Sequence, residues 1–389
     1  MPLAESLRRS ALVTLLLVGA AFSPLVVGQA PKTPTAADVV TKVRTQFAPD
    51  TRVAVFDVKA EVKNTSIELT GDVEEPAAKD ALLKALREAG FPSVIDRIAV
   101  LPDPAVAVKP MGVVTVSVAV MKTKASHPSE LANQLIMGHV VKVLKKEGGW
   151  YYVQSLDDHY LGWMEPDHLA LMTKDQAESF SRSPRVIVTA LFALVREQAS
   201  PDAAAVADLV VGNVLGATGQ DGAWLAVQLP DGRKGFVSQA DATDYRAWRA
   251  ARAITPDNIE QTARRFTGVP YLWGGTSARG FDCSGFVKTV FRLNGTELQR
   301  DTDQQANEGV AVPTDNDLAQ LRKGDVLFFG PRAGVTRITH TGIYLGGKLF
   351  IHCSGMVKVN SFDPSSPIYS ENLLKRLVKV RRMESLTTD

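Results

Sequence analysis

The sequence predicts a multidomain protein: a small α/β module, two small β-barrels and a terminal α+β domain. Three observations carry that prediction. Between residues 36 and 104 strand-like and helix-like periods alternate. Between Gly138 and Phe236 one pattern of residues occurs twice. After Thr255 helical spacing comes first and a run of strands follows, the order of an α+β domain. The 389 residues suffice for roughly two to four domains. Lysine plus arginine number 44 against 42 acidic residues, so bulk charge gives no reason to expect a nucleic-acid partner.

Arg8-Arg9, an apolar run from Ala11 to Phe22 and the small-residue segment Val27-Gly28-Gln29-Ala30 follow the order of a secretory signal. Residues 1–30 are therefore set apart from the fold, with cleavage expected after Ala30. An uncleaved anchor is the alternative, although Pro24 interrupts a run already short for a span of about 20 residues. In the module that follows, Val53, Val55 and Val58 look strand-like, and Ile67 to Gly71 alternates and stops at a turn. Pro76 to Ala89 has helical spacing and ends at Gly90, and Val94 to Leu101 closes the module as a strand. Its Leu69-Thr70-Gly71-Asp72-Val73 turn and following helix resemble the BON-type domain of envelope proteins, which implies a spacer or adaptor in contact with the wall or membrane.

The repeat pairs Gly138 to Trp150 with Gly212 to Trp224, an offset of 74 residues, and Gln154 and Gln228 each follow the tryptophan by four. Leu161-Gly162-Trp163 then answers Lys234-Gly235-Phe236, with one residue deleted between. Short alternating runs at Val113 to Val120, Val140 to Leu144 and Tyr151 to Val153, broken by Gly-Gly and Asp-Asp turns, indicate small β-barrels. They resemble bacterial SH3-like domains, over about 105–178 and 179–250. Four histidines of the first copy, His127, His139, His159 and His168, lack metal-ligand spacing.

In the last domain Thr255-Pro256-Asp257 reads as a helix start and Gly268 as its end. Phe281-Asp282-Cys283-Ser284-Gly285-Phe286 opens a second helix, with Phe286, Val287, Val290 and Phe291 on one face and Gly295 beyond its end. Cys283 thus falls in a first turn, where free amide N–H groups and the helix dipole favour thiolate. Asp301 or Thr302 can cap a short helix closed by Gly309. Strands are expected at Asp325 to Phe329, Thr339 to Leu345, Lys348 to Cys353 and Met356 to Phe362.

A cysteine nucleophile needs a base, and the base needs a third group to orient it. Outside the first barrel the histidines are His340 and His352, on adjacent strands joined through Gly346-Gly347. A strict two-residue turn at Gly346-Gly347 would put them on opposite faces of the sheet. An odd loop centred on Gly346, or a bulge, pairs His340 with His352 instead, and one of these is expected. A zinc site from Cys283, His340, His352 and Cys353 is disfavoured, because the neighbours His352 and Cys353 point to opposite faces of a strand. Cys353 reads as a buried small residue, although a disulfide between the two cysteines would satisfy the count.

The Cys…His…His order, behind Tyr271-Leu272-Trp273-Gly274-Gly275 and the Cys283 motif, resembles the NlpC-type papain-like peptidases of bacterial cell walls over about residues 255–382. The resemblance implies Cys283 as nucleophile, His340 as general base then acid, His352 as polar orienter, and the Cys283 N–H in the oxyanion hole. It implies no cofactor and no metal.

Two SH3-like units ahead of such a domain resemble the γ-D-glutamyl-L-diamino acid endopeptidases, also called dipeptidyl-peptidase VI, which cleave stem peptides bearing a free N-terminal L-Ala. By that resemblance Asp301 receives the amine, with Tyr271, Asp282, Ser284 and Thr302 lining the pocket, and the first barrel adds Glu130 and Tyr160; Tyr151 and Tyr152 are alternatives to Tyr160. The implied partners are peptidoglycan-derived peptides met by an exported, envelope-associated monomer. A lytic enzyme of intact peptidoglycan and an inert wall-binding scaffold are the competing readings.

Overall fold

The computed structural model describes residues 34–64, 66–314 and 318–383. The signal read at residues 1–30 lies outside them. Among the described residues no helix is long and apolar enough to cross a membrane.

The N-terminal module has the order αββαβ. Helix α1 (Ala36–Phe47) begins at a reciprocal cap, with Thr35 N–H donating to Asp38 and Asp38 N–H to Thr35 Oγ1, and buries Ala36, Val39, Val40 and Val43. Strands β1 (Phe56–Lys63) and β2 (Ser66–Val73) form an antiparallel hairpin, and helix α2 (Pro76–Glu88) carries the chain to β3 (Val94–Val100), parallel to β2. Leu69, Val73, Leu82 and Leu86 meet in the core. Gly71 does not end a strand as the sequence suggested: β2 runs through it, with φ of 121°, and a Cβ there would strike the carbonyl of Asp57. Close backbone approach, rather than a turn, explains the glycine.

The first barrel contains β4 (Met111–Val114), β5 (Val118–Lys122), β6 (Leu131–Ile136), β7 (Val140–Glu147), β8 (Trp150–Ser155), β9 (Leu161–Met164) and β10 (Leu169–Met172). Helix α3 (Lys174–Arg182) leads to the second. That barrel contains β11 (Arg185–Val188), β12 (Phe192–Arg196), β13 (Ala205–Val210), β14 (Val214–Asp221), β15 (Trp224–Gln228), β16 (Lys234–Ser238) and β17 (Ala242–Asp244). Numbered within each copy, both sheets run 7-1-4-5-6-2-3. Backbone bonds repeat at the same offset as the sequence: Gly138 N–H to Val114 O and Gly212 N–H to Val188 O, His139 N–H to Ile136 O and Asn213 N–H to Val210 O. The corresponding corners then pack on each other, with Val214 N–H donating to Met137 O at 3.0 Å.

After α4 (Tyr245–Ala250) and α5 (Pro256–Arg264) come the short pair β18 (Thr276–Ser277) and β19 (Gly280–Phe281) and the central helix α6 (Cys283–Arg292). Helix α7 (Thr302–Gln305) precedes β20 (Val310–Val312), β21 (Val326–Phe329), β22 (His340–Gly346), β23 (Leu349–Ser354) and β24 (Met356–Ser361), then α8 (Glu371–Arg376) and β25 (Leu377–Arg382). The sheet order is β20-β25-β21-β22-β23-β24, antiparallel throughout. Helix α6 lays Phe286, Val287, Val290 and Phe291 against Phe266, Ile343, Ile351 and Cys353 on one face of the sheet. Phe329, Tyr344, Phe350 and Phe362 pack on the other. Each buried phenylalanine contributes about 2–3 kcal/mol, so α6 is held along its length.

Candidate active site

Helix α6 starts where it does because Asp282 caps it, accepting from Gly285 N–H at 2.7 Å. The same carboxylate accepts from Gly274 N–H at 3.0 Å and from Arg300, through Nη2 at 2.5 Å and Nη1 at 3.2 Å. Arg300 is only 1% exposed, and it also donates to Ser284 Oγ at 3.0 Å and, across the domain boundary, to Asn133 Oδ1 at 2.9 Å. Asp282 therefore borders the site with its carboxylate committed to the cap and the arginine, and Ser284 is engaged with the same pair.

The Cys283 thiol faces Thr302 Oγ1 at 3.7 Å. Its ionisation differs from the expectation set by the helix N-terminus: burial, aided by the Asp282 charge, pushes it up to about 11. Thr302, Thr341 N–H and Ser284 N–H favour the thiolate without reversing that balance. Both cysteines are free, and Cys353 is buried with Sγ donating to Phe281 O at 3.2 Å.

The β22–β23 connection is a two-residue turn at Gly347-Lys348, both with positive φ, and a bulge between Tyr344 and Gly346 shifts the register. The bulge puts both imidazoles on one face. They do not sit directly opposite, because the register continued from Ile343 opposite Ile351 places Gly342 across from His352. A Cβ at Gly342 would meet that of His352 at 2.9 Å, so the glycine leaves room for His340, two residues earlier, to reach across diagonally. His340 Nε2 and His352 Nδ1 are 2.7 Å apart.

A third residue, Asn360 on β24, was not marked by the sequence. Its amide is oriented by Nδ2 donating to Ile368 O at 3.0 Å, so Oδ1 accepts from His352 Nε2–H at 2.9 Å. His352 Nδ1 must then accept from His340 Nε2–H, which assigns the lone pair of the neutral His340 ring to Nδ1. Burial, then the neighbouring His352, lowers His340 to about 3, and burial lowers His352 to about 4. At neutral pH both rings are uncharged.

A cavity of about 400 Å³ joins Cys283 to Glu130, Tyr160, Tyr271, Asp282, Ser284, Asp301 and Thr302, so every pocket residue named from the sequence borders one space. Tyr160 OH donates to Asp301 Oδ2 at 3.1 Å, and burial together with that carboxylate raises the phenol well above its ordinary value, keeping it a donor. Glu130 Oε1 accepts from Trp273 Nε1–H at 2.6 Å. Tyr271 and Thr339 also border the adjoining groove that contains His340 and His352. The barrel wall is fixed by buried polar contacts: Gln134 accepts from Thr276 N–H at 3.0 Å and Thr276 Oγ1–H at 2.7 Å, and Lys288 pairs with Asp158 at 3.3 Å.

Comparison with known proteins matches residues 268–382 to the NlpC/P60 family and residues 123–169 to the bacterial dipeptidyl-peptidase Sh3 domain. A Bacillus cereus γ-D-glutamyl-L-lysine dipeptidyl-peptidase is 30% identical over 234 residues, covering 58% of this chain and 68% of the relative. Dipeptidyl-peptidase 6 of Lysinibacillus sphaericus is 27% identical over 261 residues, covering 65% of this chain and 92% of the relative. Among solved structures, an NlpC/P60 family protein from Bacillus cereus aligns with a TM-score of 0.60 at 25% identity, over 70% of this chain and 99% of the other.

Proposed function

Because the chain belongs to the NlpC/P60 family of cysteine peptidases, we propose that it hydrolyses the bond between γ-D-Glu and the diamino acid of peptidoglycan stem peptides, releasing L-Ala-γ-D-Glu. The observation that carries this reading is the cavity in which Asp301, Tyr160 and Glu130 share one space with Cys283. Carboxylates there suit an ammonium group, and the first barrel walls one side of the cavity, which would oppose an acyl chain or glycan on that nitrogen. An acylated amine would also leave the acids unpaired, which discriminates strongly.

In this mechanism His340 Nδ1 takes the proton of the Cys283 thiol as Sγ attacks the γ-carbonyl carbon of D-Glu. The carbonyl π electrons move to oxygen, where the Cys283 backbone N–H contributes about 3 kcal/mol of stabilisation per donor. Collapse breaks the C–N bond, and His340 returns the proton to the departing amine of the diamino acid. Water, deprotonated by the same ring, then attacks the thioester and frees the dipeptide carboxylate and the thiol. His352 and Asn360 hold the tautomer.

Incubation with free L-Ala-γ-D-Glu-L-Lys, its N-acetyl form and purified sacculi, followed by mass spectrometry, tests the assignment. Dipeptide release from the free peptide alone is expected; release from sacculi at a comparable rate would show a lytic enzyme instead. The pH profile is a second expectation. A base lowered by burial to about 3 stays neutral as pH falls, so kcat/KM should stay flat from pH 7 to about 5 and decline only near His340 and His352 ionisation. An acid limb centred near the ordinary imidazole value of about 6.5 would contradict this. The alkaline limb should fall near 8, where the substrate α-amine loses its proton.

The N-terminal module is read as BON-like, the second barrel as SH3-like, and the enzyme as an exported protein of the cell envelope. The αββαβ order and the shared strand order of the two barrels support the first two readings.

A further inference from the structure

The loop between α1 and β1 sends one side chain from the N-terminal module into the cavity that contains Cys283. Arg52 Nη1 donates to Asp301 Oδ2 at 2.8 Å and Asp303 Oδ1 at 2.8 Å. Nη2 donates to Asp303 Oδ2 and Asp50 Oδ2, each at 2.8 Å, and Nε to Asp50 Oδ1 at 2.9 Å. The guanidinium has five N–H bonds, and these contacts use all five. Arg52 therefore has no donor left for a substrate carboxylate. What it can do is set the position of the groups it binds.

The loop itself is anchored. Leu161 N–H donates to Arg52 O at 2.8 Å, directly beside Tyr160, and Gln154 Nε2 donates to Val53 O at 2.8 Å. Val55 and Leu101 pack on Leu144 and Leu161 of the first barrel, and Lys145 pairs with Asp72 at 2.6 Å. Asp50 accepts from Gln304 Nε2 at 2.8 Å, tying the loop to α7 as well. Without the guanidinium, Asp50, Asp301 and Asp303 would gather three carboxylates with mutual repulsion; with it, Asp50 is held down at about 2 and Asp303 is lowered.

At Asp301 the consequence is specific to one atom. Oδ2 is occupied by Arg52 and by Tyr160 OH, whereas Oδ1 lies 3.9 Å from Arg300 Nη1. We propose that Arg52 is a positioning residue for substrate specificity: it fixes the Asp301 carboxylate so that Oδ1 receives the ammonium of the peptide, making the N-terminal module a third wall of the amine pocket. The role rests on Asp301 being the amine ligand in the function proposed above. It assigns the module a place in substrate selection rather than tethering alone.

The test is steady-state kinetics of full-length Arg52→Met and Arg52→Lys on L-Ala-γ-D-Glu-L-Lys and its N-acetyl form. Loss of this charged partner of Asp301, and of the fork that ties it to Asp303 and Asp50, should raise KM for the free-amine peptide by about 10- to 100-fold while kcat changes by less than about threefold. Preference for the free over the acylated amine should fall in parallel. Arg52→Lys should recover only part of the affinity, because an ammonium cannot reproduce the fork. An unchanged KM, or a fall in kcat at constant KM, would overturn the proposal. If the parent enzyme fails to cut the tripeptide, the peptidase assignment falls separately. Calorimetric titration of L-Ala-γ-D-Glu into Cys283→Ala with and without Arg52→Met then decides the role of Arg52: weaker binding in the double variant supports it, and equal binding, or none to either, refutes it.

Discussion

Cys283→Ala is expected to abolish dipeptide release, lowering kcat by on the order of 10⁴-fold or more, since in the proposed mechanism the attacking thiol cannot be replaced by the remaining groups of its site. The protein should stay folded. The residue is buried beside Thr302, but alanine at a first helical turn removes one sulfur and leaves the Asp282 cap and the Phe286 face untouched. KM, or the affinity for dipeptide, should change little, because the proposed amine contacts lie at Asp301 and Glu130. Cys283→Ala retaining more than about one hundredth of parental turnover would mean that another group performs the attack. Iodoacetamide gives a second readout. A thiol pushed up to about 11 in the resting enzyme should alkylate slowly at pH 7, and faster as the pH rises.

The largest stability change is expected at Arg300. Arg300→Met leaves the Asp282 carboxylate buried without its cation and removes the bonds to Ser284 and Asn133, so a cost of about 3–5 kcal/mol is expected in urea unfolding. The double variant Asp282→Asn with Arg300→Met should recover part of that loss. Asparagine still caps a helix, and no buried charge remains. A cost below about 1 kcal/mol for Arg300→Met, or a double variant weaker than both singles, would show that the pair does not hold the nucleophile's helix in place.

The ease of reading these features from sequence follows their range along the chain. Cys283, Asp301 and Thr302 stand in local motifs whose caps and turns are written in adjacent residues. His340 and His352 required a register argument, and the bulge between Tyr344 and Gly346 met its condition through a diagonal contact that Gly342 permits. Helix α1 carries a local signal too, the Thr35 cap and apolar spacing at Val39, Val40 and Val43, to which the strand-based reading of the module gave no element. Arg300 looks like any surface arginine until burial is known. Arg52 and Asn360 have no local signature, since their meaning lies wholly in what meets them across the fold.

The separation of Arg52 from Asp303 also sets an order in time. The two are 251 residues apart, and a chain made at about 5–20 residues per second needs roughly 10–50 s to produce the second after the first. During that interval Asp50 is the one carboxylate of the three already made. A nascent or truncated chain thus has neither Cys283 nor a finished pocket, and the proposed peptidase site is assembled only once the last third of the protein has joined the first.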